Sequence, residues 1–287
     1  MLESIINPKV TEKGPWKLFF IGLVYASLSI ILCQLFFSSD PVLSQYLGIL
    51  VVTFCVMFYI PFMYFVIKNE EIQDENTEGL WSVWKIHGDA IFAFMFLFLG
   101  FIVAFSFWNI VLGNPDLFNA QIETYCAINN QADIENCIAK YGYSAESAGI
   151  TGEVTQTGRL LSIIQNNIYV MIFTLFFSII FGAGAIFVLA WNASVISAAI
   201  GIFAKYQVEN IPLGILRYMI HGFPEIAAYF ITALAGGIFG IGIIRNGLRD
   251  KKFLRVLENV VILLFIAIIV LLFAAIVEVY FTPLLFN

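Results

Sequence analysis

The sequence predicts an all-α fold: a polytopic transmembrane helical bundle of about seven crossings, with the fifth broken or re-entrant. Two observations carry that expectation. Hydrophobic residues make up 61% of the chain and charged residues only 12%, whereas soluble domains carry about 25% charged residues. A water-soluble globule of 287 residues would lack the charges to coat itself. The apolar residues also gather into runs of about 20, the length a helix needs to cross the hydrocarbon. In lipid each run must satisfy its own backbone hydrogen bonds, which leaves helices or closed barrels. The runs Phe92–Phe107 and Val260–Ala275 are apolar almost without interruption and lack the two-residue alternation of a barrel strand.

Taken in order, the runs are Trp16–Phe37, Tyr46–Ile67, Ala90–Leu112 and Ile168–Trp191, then Phe223–Ile244 as the sixth and Val260–Phe281 as the seventh. The polar start, Met1–Lys17, has neither the early apolar core nor the small-residue cleavage site of a signal peptide, so the first run is expected to be retained. Orientation follows from basic residues, which stay cytoplasmic in short loops. Arg245, Arg249, Lys251, Lys252 and Arg255 fall within eleven residues and place that loop inside. Lys9, Lys13 and Lys17 favour a cytoplasmic N-terminus. Parity then puts residues 113–165 and the C-terminus outside. It also requires residues 192–222 to cross once, as two apolar pieces separated by Lys205, Tyr206, Gln207, Glu209 and Asn210. A polar break at depth is tolerated only against protein or water, hence the irregular fifth crossing.

The net charge of −6 comes from acids spread over loops, and no basic stripe points to nucleic acid. Glu70, Glu71, Asp74, Glu75 and Glu78 read as a solvated face beside the membrane. Cys126 and Cys137 fall in the external loop, where a disulfide fits an oxidising compartment; two free thiols on a polar loop are the alternative. Cys33 and Cys55 lie inside spans and read as packing residues.

No nucleotide-binding, zinc-protease or nucleophile-elbow motif is present, and neither His87 nor His221 has a ligand partner at metal spacing. The expectation is no cofactor, no metal site and no catalytic residue. Polar residues at span ends stand out instead, because ionisable groups in a membrane are costly and face the bundle or water. Asn166 and Asn167 open span four, His221 and Glu225 open span six around Pro224, and Glu278 with Thr282 and Pro283 closes span seven. Asn167, His221, Glu225 and Glu278 are therefore expected to meet as a polar cluster, either structural or solute-binding. Gly182, Gly184, Gly236 and Gly240, with Ala198, Gly201, Gly237 and Gly242, form small faces. Gly236-x-x-x-Gly240 is a spacing for close helix packing.

These motifs in this order resemble the stage II sporulation protein M (SpoIIM, DUF95) family. An apolar span around Gly100 leads through an external stretch to Asn-Asn and a Gly-x-Gly span. Trp-Asn-Ala-Ser-Val-Ile-Ser follows, then Gly201, His-Gly-Phe-Pro-Glu-Ile, a glycine-rich span and Val-Glu-Val-Tyr-Phe-Thr-Pro. The resemblance covers about Ala90–Pro283, making residues 1–89 a two-span extension with an acidic cytoplasmic loop and residues 90–287 the core. The family pattern has Asn-Gly and Pro-His-Gly where this chain has Asn192-Ala193 and Ile220-His221-Gly222. In sporulating bacteria the resemblance implies a membrane anchor for peptidoglycan-remodelling partners. The expected function is a non-enzymatic membrane scaffold in the cell membrane. A channel or secondary transporter using the polar cluster is the alternative, and an intramembrane enzyme built on His221 and Glu225 a third reading. Expected partners are membrane lipid and other membrane or envelope proteins, with homo-oligomerisation left open and no nucleic acid.

Overall fold

The computed structural model describes residues 15–74, 79–129, 135, 137–138, 156–181, 185–246 and 251–286. Every regular element among them is helical. The long helices are α1 (Pro15–Phe37), α2 (Leu47–Asp74) and α3 (Leu80–Leu112), then α5 (Gln156–Phe181), α6 (Ala185–Phe203), α7 (Ile211–Asn246) and α8 (Lys251–Ile276). A short α4 (Asn119–Asn129) follows α3, and a π-helical segment, Val277–Phe281, joins α8 to α9 (Thr282–Phe286). Seven helices among the described residues are long and apolar enough to cross a membrane, and the protein is a multi-pass membrane protein.

The helix ends have local causes. Asp40 Oδ1 accepts the backbone N–H groups of Val42 and Leu43, both at 2.8 Å, which shapes the turn between α1 and α2. Those two bonds hold its carboxyl below the usual carboxylate range. Gly113 ends α3 in the left-handed region, at φ 56°, where a residue without Cβ costs least. Lys205 and Tyr206 end α6 the same way, at φ 51° and 55°. The Tyr206 N–H reaches back to the Gly201 carbonyl at 3.0 Å, a six-to-one closure typical of helix C-termini.

Two boundaries differ from the expectation. The fourth apolar run, 168–191, is not one helix: α5 ends at Phe181 and α6 begins at Ala185. The fifth crossing is therefore the candidate span Ile186–Phe203, a single unbroken helix. The polar stretch 205–210 separates α6 from α7 instead of interrupting a crossing, and residues 205–209 are exposed. Parity is unchanged by this shift, because one irregular crossing has become one regular one. Gly182 and Gly184 lie outside the described residues.

The core is built on α3 and the middle of α7. Ile226, Ala228 and the run from Tyr229 to Ile238 are buried, and Phe94 of α3 stacks on Phe230 with ring centroids 5.3 Å apart. The first two helices pack into the same core. Tyr59 of α2 meets Phe101 of α3 edge-on at 5.5 Å, and Trp108 of α3 donates its Nε1–H to Ser27 Oγ of α1 at 2.9 Å. A Cβ on Gly22 would stand 2.5 Å from the Leu97 carbonyl oxygen, so α1 and α3 meet backbone to backbone. By contrast Phe173, Phe176, Phe265 and Phe273 are more than half exposed, as lipid-facing positions on a bundle should be.

At the C-terminal end of α2 the reading of the acidic run as a solvated face fails for its first two members, while the side chains of Asp74, Glu75 and Glu78 lie outside the described residues. Glu70 and Glu71 are buried, 1% and 0% exposed, and do not form a solvated face. They continue the buried stripe of Tyr59, Phe62, Met63, Val66 and Ile67, whose three- and four-residue spacing marks one side of a helix. Glu70 Oε2 lies 2.6 Å from His87 Nδ1 of α3, and Arg245 of α7 donates to Glu71.

Candidate functional site

Three helices bring the polar residues of the spans together. The positions that Cβ atoms on Gly236 and Gly240 would take face Leu175, Ser178 and Ile179, so α5 and α7 run side by side in the same direction. Asn167 lies eleven residues before Ser178, and Glu225 eleven before Gly236. The two therefore share a level. Glu278, in the π-helical segment that follows α8, reaches that level from the opposite chain direction.

The result is a cavity of about 110 Å³ lined by Asn166, Asn167, Asn192, His221, Glu225 and Glu278, with Tyr125, Tyr218 and aliphatic side chains completing the wall. Tyr229 OH donates to Glu225 Oε1 at 2.8 Å. His221 Nδ1 lies 3.2 Å from Thr282 Oγ1, which ties α7 to the turn after the π segment. Asn166 Nδ2 donates to Asn167 Oδ1 at 3.3 Å. Glu225 and Glu278 both line this one small cavity.

The depth of these residues differs from their expected place at helix starts. α5 begins at Gln156 and α7 at Ile211, so Asn167 and Glu225 sit several turns inside their helices. Pro224 lies inside α7 and not in its first turn. His221 consequently belongs to the same helix as Glu225, four residues earlier and on the same face. Leu213–Ile220 carries enough apolar surface to keep α7 helical up to the proline, and bundled helices tolerate an internal proline.

The site has members that the sequence reading did not assign to it. Tyr229 is one turn beyond Glu225, a spacing that places it beside the carboxylate. Asn192 enters from α6. The π-helical turn at Glu278 left a weaker trace, Pro283. A proline has no N–H to give, and the Thr282 N–H bonds instead to the Val277 carbonyl, five residues back. Such π turns are frequent at functional sites.

A wider groove adjoins the cavity. Its volume is about 700 Å³, and it runs between α5 and α6 beneath α4, lined chiefly by Tyr169, Phe173, Phe177, Phe187, Val188 and Trp191. Asn166, Asn192, Ile128 and Val195 line both spaces. A disulfide joins Cys126 of α4 to Cys137, with Cα atoms 5.6 Å apart. Gln121 of α4 donates to the Gly48 carbonyl at 3.0 Å and to Ser194 Oγ at 3.2 Å, holding the groove's roof to α2 and α6. Cys33 and Cys55 are buried free thiols. Among the described residues no group of three or more His, Cys, Asp and Glu side chains is arranged to hold a metal ion.

No curated protein and no solved structure matches the chain. The family model described as stage II sporulation protein M matches residues 90–283. With that match over most of its length, this chain belongs to the SpoIIM family.

Proposed function

We propose that the protein is a non-enzymatic scaffold of the cell membrane that holds other membrane or envelope proteins in place. The observation that carries this reading is the closed centre of α7. A Cβ on Gly236 would meet Ser178 and Leu175, on Gly237 Ile67, and on Gly240 the Ile179 backbone. The glycines therefore serve close helix packing, as small residues do in membrane bundles, where a conduit through the bundle would need open space. His221 and Glu225 bond to Thr282 and Tyr229, an arrangement that suits bundle cohesion better than acid–base chemistry. The basic residues Arg245 to Arg255 support a cytoplasmic N-terminus and an external C-terminus. Family membership supports an anchoring role, and the partners of this chain would be engaged through its external loop or its exposed helix faces.

The cavity beside Glu225 favours the competing reading, a transporter, since polar groups at depth are where transporters place their sites. Flux of ions and small polar solutes into proteoliposomes carrying the purified protein separates the two. The scaffold reading expects flux equal to empty liposomes. Flux above that level that is lost in Glu225→Gln would replace it with transport.

A further inference from the structure

We propose that the polar cavity and the apolar groove form one binding site for a single phospholipid with an ammonium-bearing headgroup. The head would sit among Glu225, Glu278 and Asn167, with an acyl chain between α5 and α6. This goes beyond the scaffold reading and does not depend on it.

The two spaces adjoin across a shared wall and are opposite in character. Asn166 and Asn192 stand on their shared boundary. On one side are carboxylates and amides; on the other are aromatic and aliphatic walls. The groove's volume, about 700 Å³, falls in the range of small-molecule sites, about 300–1,000 Å³. From Asn166 to Phe177 its wall follows α5 for eleven residues, roughly 16 Å at the rise of an α-helix. Its flank is open to the bilayer, with Tyr169 and Phe173 58% and 61% exposed. A long apolar slot with exposed aromatic walls beside a polar chamber matches the two-part character of an amphiphile.

The charge of the chamber selects the headgroup. Glu278 has no hydrogen bond or ion pair among the described residues, and Glu225 has only the tyrosine hydroxyl. Asn167 is 4% exposed, and its Oδ1 accepts only from Asn166 Nδ2 among the described residues, which leaves its second lone pair for a further donor. Carboxylates held in a membrane call for a counter-charge. A primary ammonium supplies it, with three N–H donors for two carboxylates and an amide carbonyl. Arg159, in the first turn of α5, is near enough to Glu278 and His221 to act on both electrostatically. It makes no ion pair among the described residues, and a guanidinium so placed suits the phosphate of the same headgroup. A metal cation would use the carboxylates but leave the groove without purpose; the lipid uses both.

The test exposes delipidated, detergent-purified protein to equal amounts of phosphatidylethanolamine and phosphatidylglycerol with identical acyl chains. Native mass spectrometry then counts the lipid retained. Wild-type protein should retain phosphatidylethanolamine at least ten-fold over phosphatidylglycerol. The double variant Glu225→Gln with Glu278→Gln should bring that ratio near one. Ala127→Trp, which fills the groove from an exposed position of α4, should lose retention of both lipids. Equal retention by the wild type, preference for phosphatidylglycerol, or a preference that survives in the double variant would overturn the proposal. If the double variant does not fold, the wild-type ratio and Ala127→Trp decide, and undiminished retention by Ala127→Trp also overturns it.

Discussion

A single glycine shows how closely the bundle is packed. The Cβ of any side chain at Gly240 would stand 2.5 Å from the Ile179 carbonyl oxygen, so Gly240→Leu must push α5 and α7 apart. Overpacking a core costs about 1–3 kcal/mol, and backbone displacement places this site at the upper end. Thermal unfolding in detergent should show a clear loss, and unchanged stability would mean that α7 does not pack on α5 as described. Gly88 is the contrast: nothing lies within 4 Å of its Cβ position. Gly88→Ala should be neutral or gain up to about 1 kcal/mol in the same assay, the usual difference between the two residues inside a helix. The disulfide is tested by maleimide tagging of denatured protein. Reduction should raise the number of tagged thiols by two, from Cys33 and Cys55 alone to all four cysteines. An unchanged number would mean that Cys126 and Cys137 are free thiols.

At the scale of elements, the helices were legible where the sequence changes character sharply. The polar stretch after Ala204 and the basic cluster after Ile244 both coincide with helix ends. The division between α5 and α6 was not legible, because Gly182 and Gly184 sit in an apolar run that hydropathy alone reads as continuous. The polar residues lining the cavity stood out because a carboxylate or amide is conspicuous against apolar neighbours. Glu70 and Glu71 did not, since the acids that follow them made the whole run look solvated. Only the helical stripe from Tyr59 onward marks their buried side, and their partners His87 and Arg245 lie on other helices. These pairs join α2 to α3 and α7. Removing one partner of a buried pair strands the other charge, at about 3–5 kcal/mol; Arg245 is 38% exposed, which moves the expectation toward or below the lower bound. Arg245→Ala should therefore destabilise clearly, and adding Glu71→Gln should recover part of the loss. Strictly additive losses in this double-mutant cycle would show that the pair does not couple.

For the whole molecule the decisive quantity is which way each helix runs, and the contacts constrain it. Trp108 reaches Ser27, and Asn114 just after α3 bonds to Gln34 near the end of α1 at 3.0 Å, so α1 and α3 run in the same direction. Ser197 of α6 donates to the Ile102 carbonyl at 3.3 Å, and Gly201 lies against Asn109, so α6 runs with them too. The ends of α1, α3 and α6 therefore share one side, with the turn at Asp40, Gly113 and the stretch 205–210. Arg245 near the end of α7 and Lys251, Lys252 and Arg255 at the start of α8 lie at the opposite side, and short basic loops remain cytoplasmic. Single cysteines introduced at Ser39 and Gln207 should accordingly react with a membrane-impermeant maleimide in intact cells, whereas one at exposed Ser82 should react only after permeabilisation. Gln207 is the informative position, because a polar break buried within a crossing would shield it, while a loop between two complete crossings leaves it open to the label. Protection of Gln207→Cys alongside reactive Ser39→Cys would restore an interrupted fifth crossing, and labelling of Ser82→Cys in intact cells would invert the whole protein.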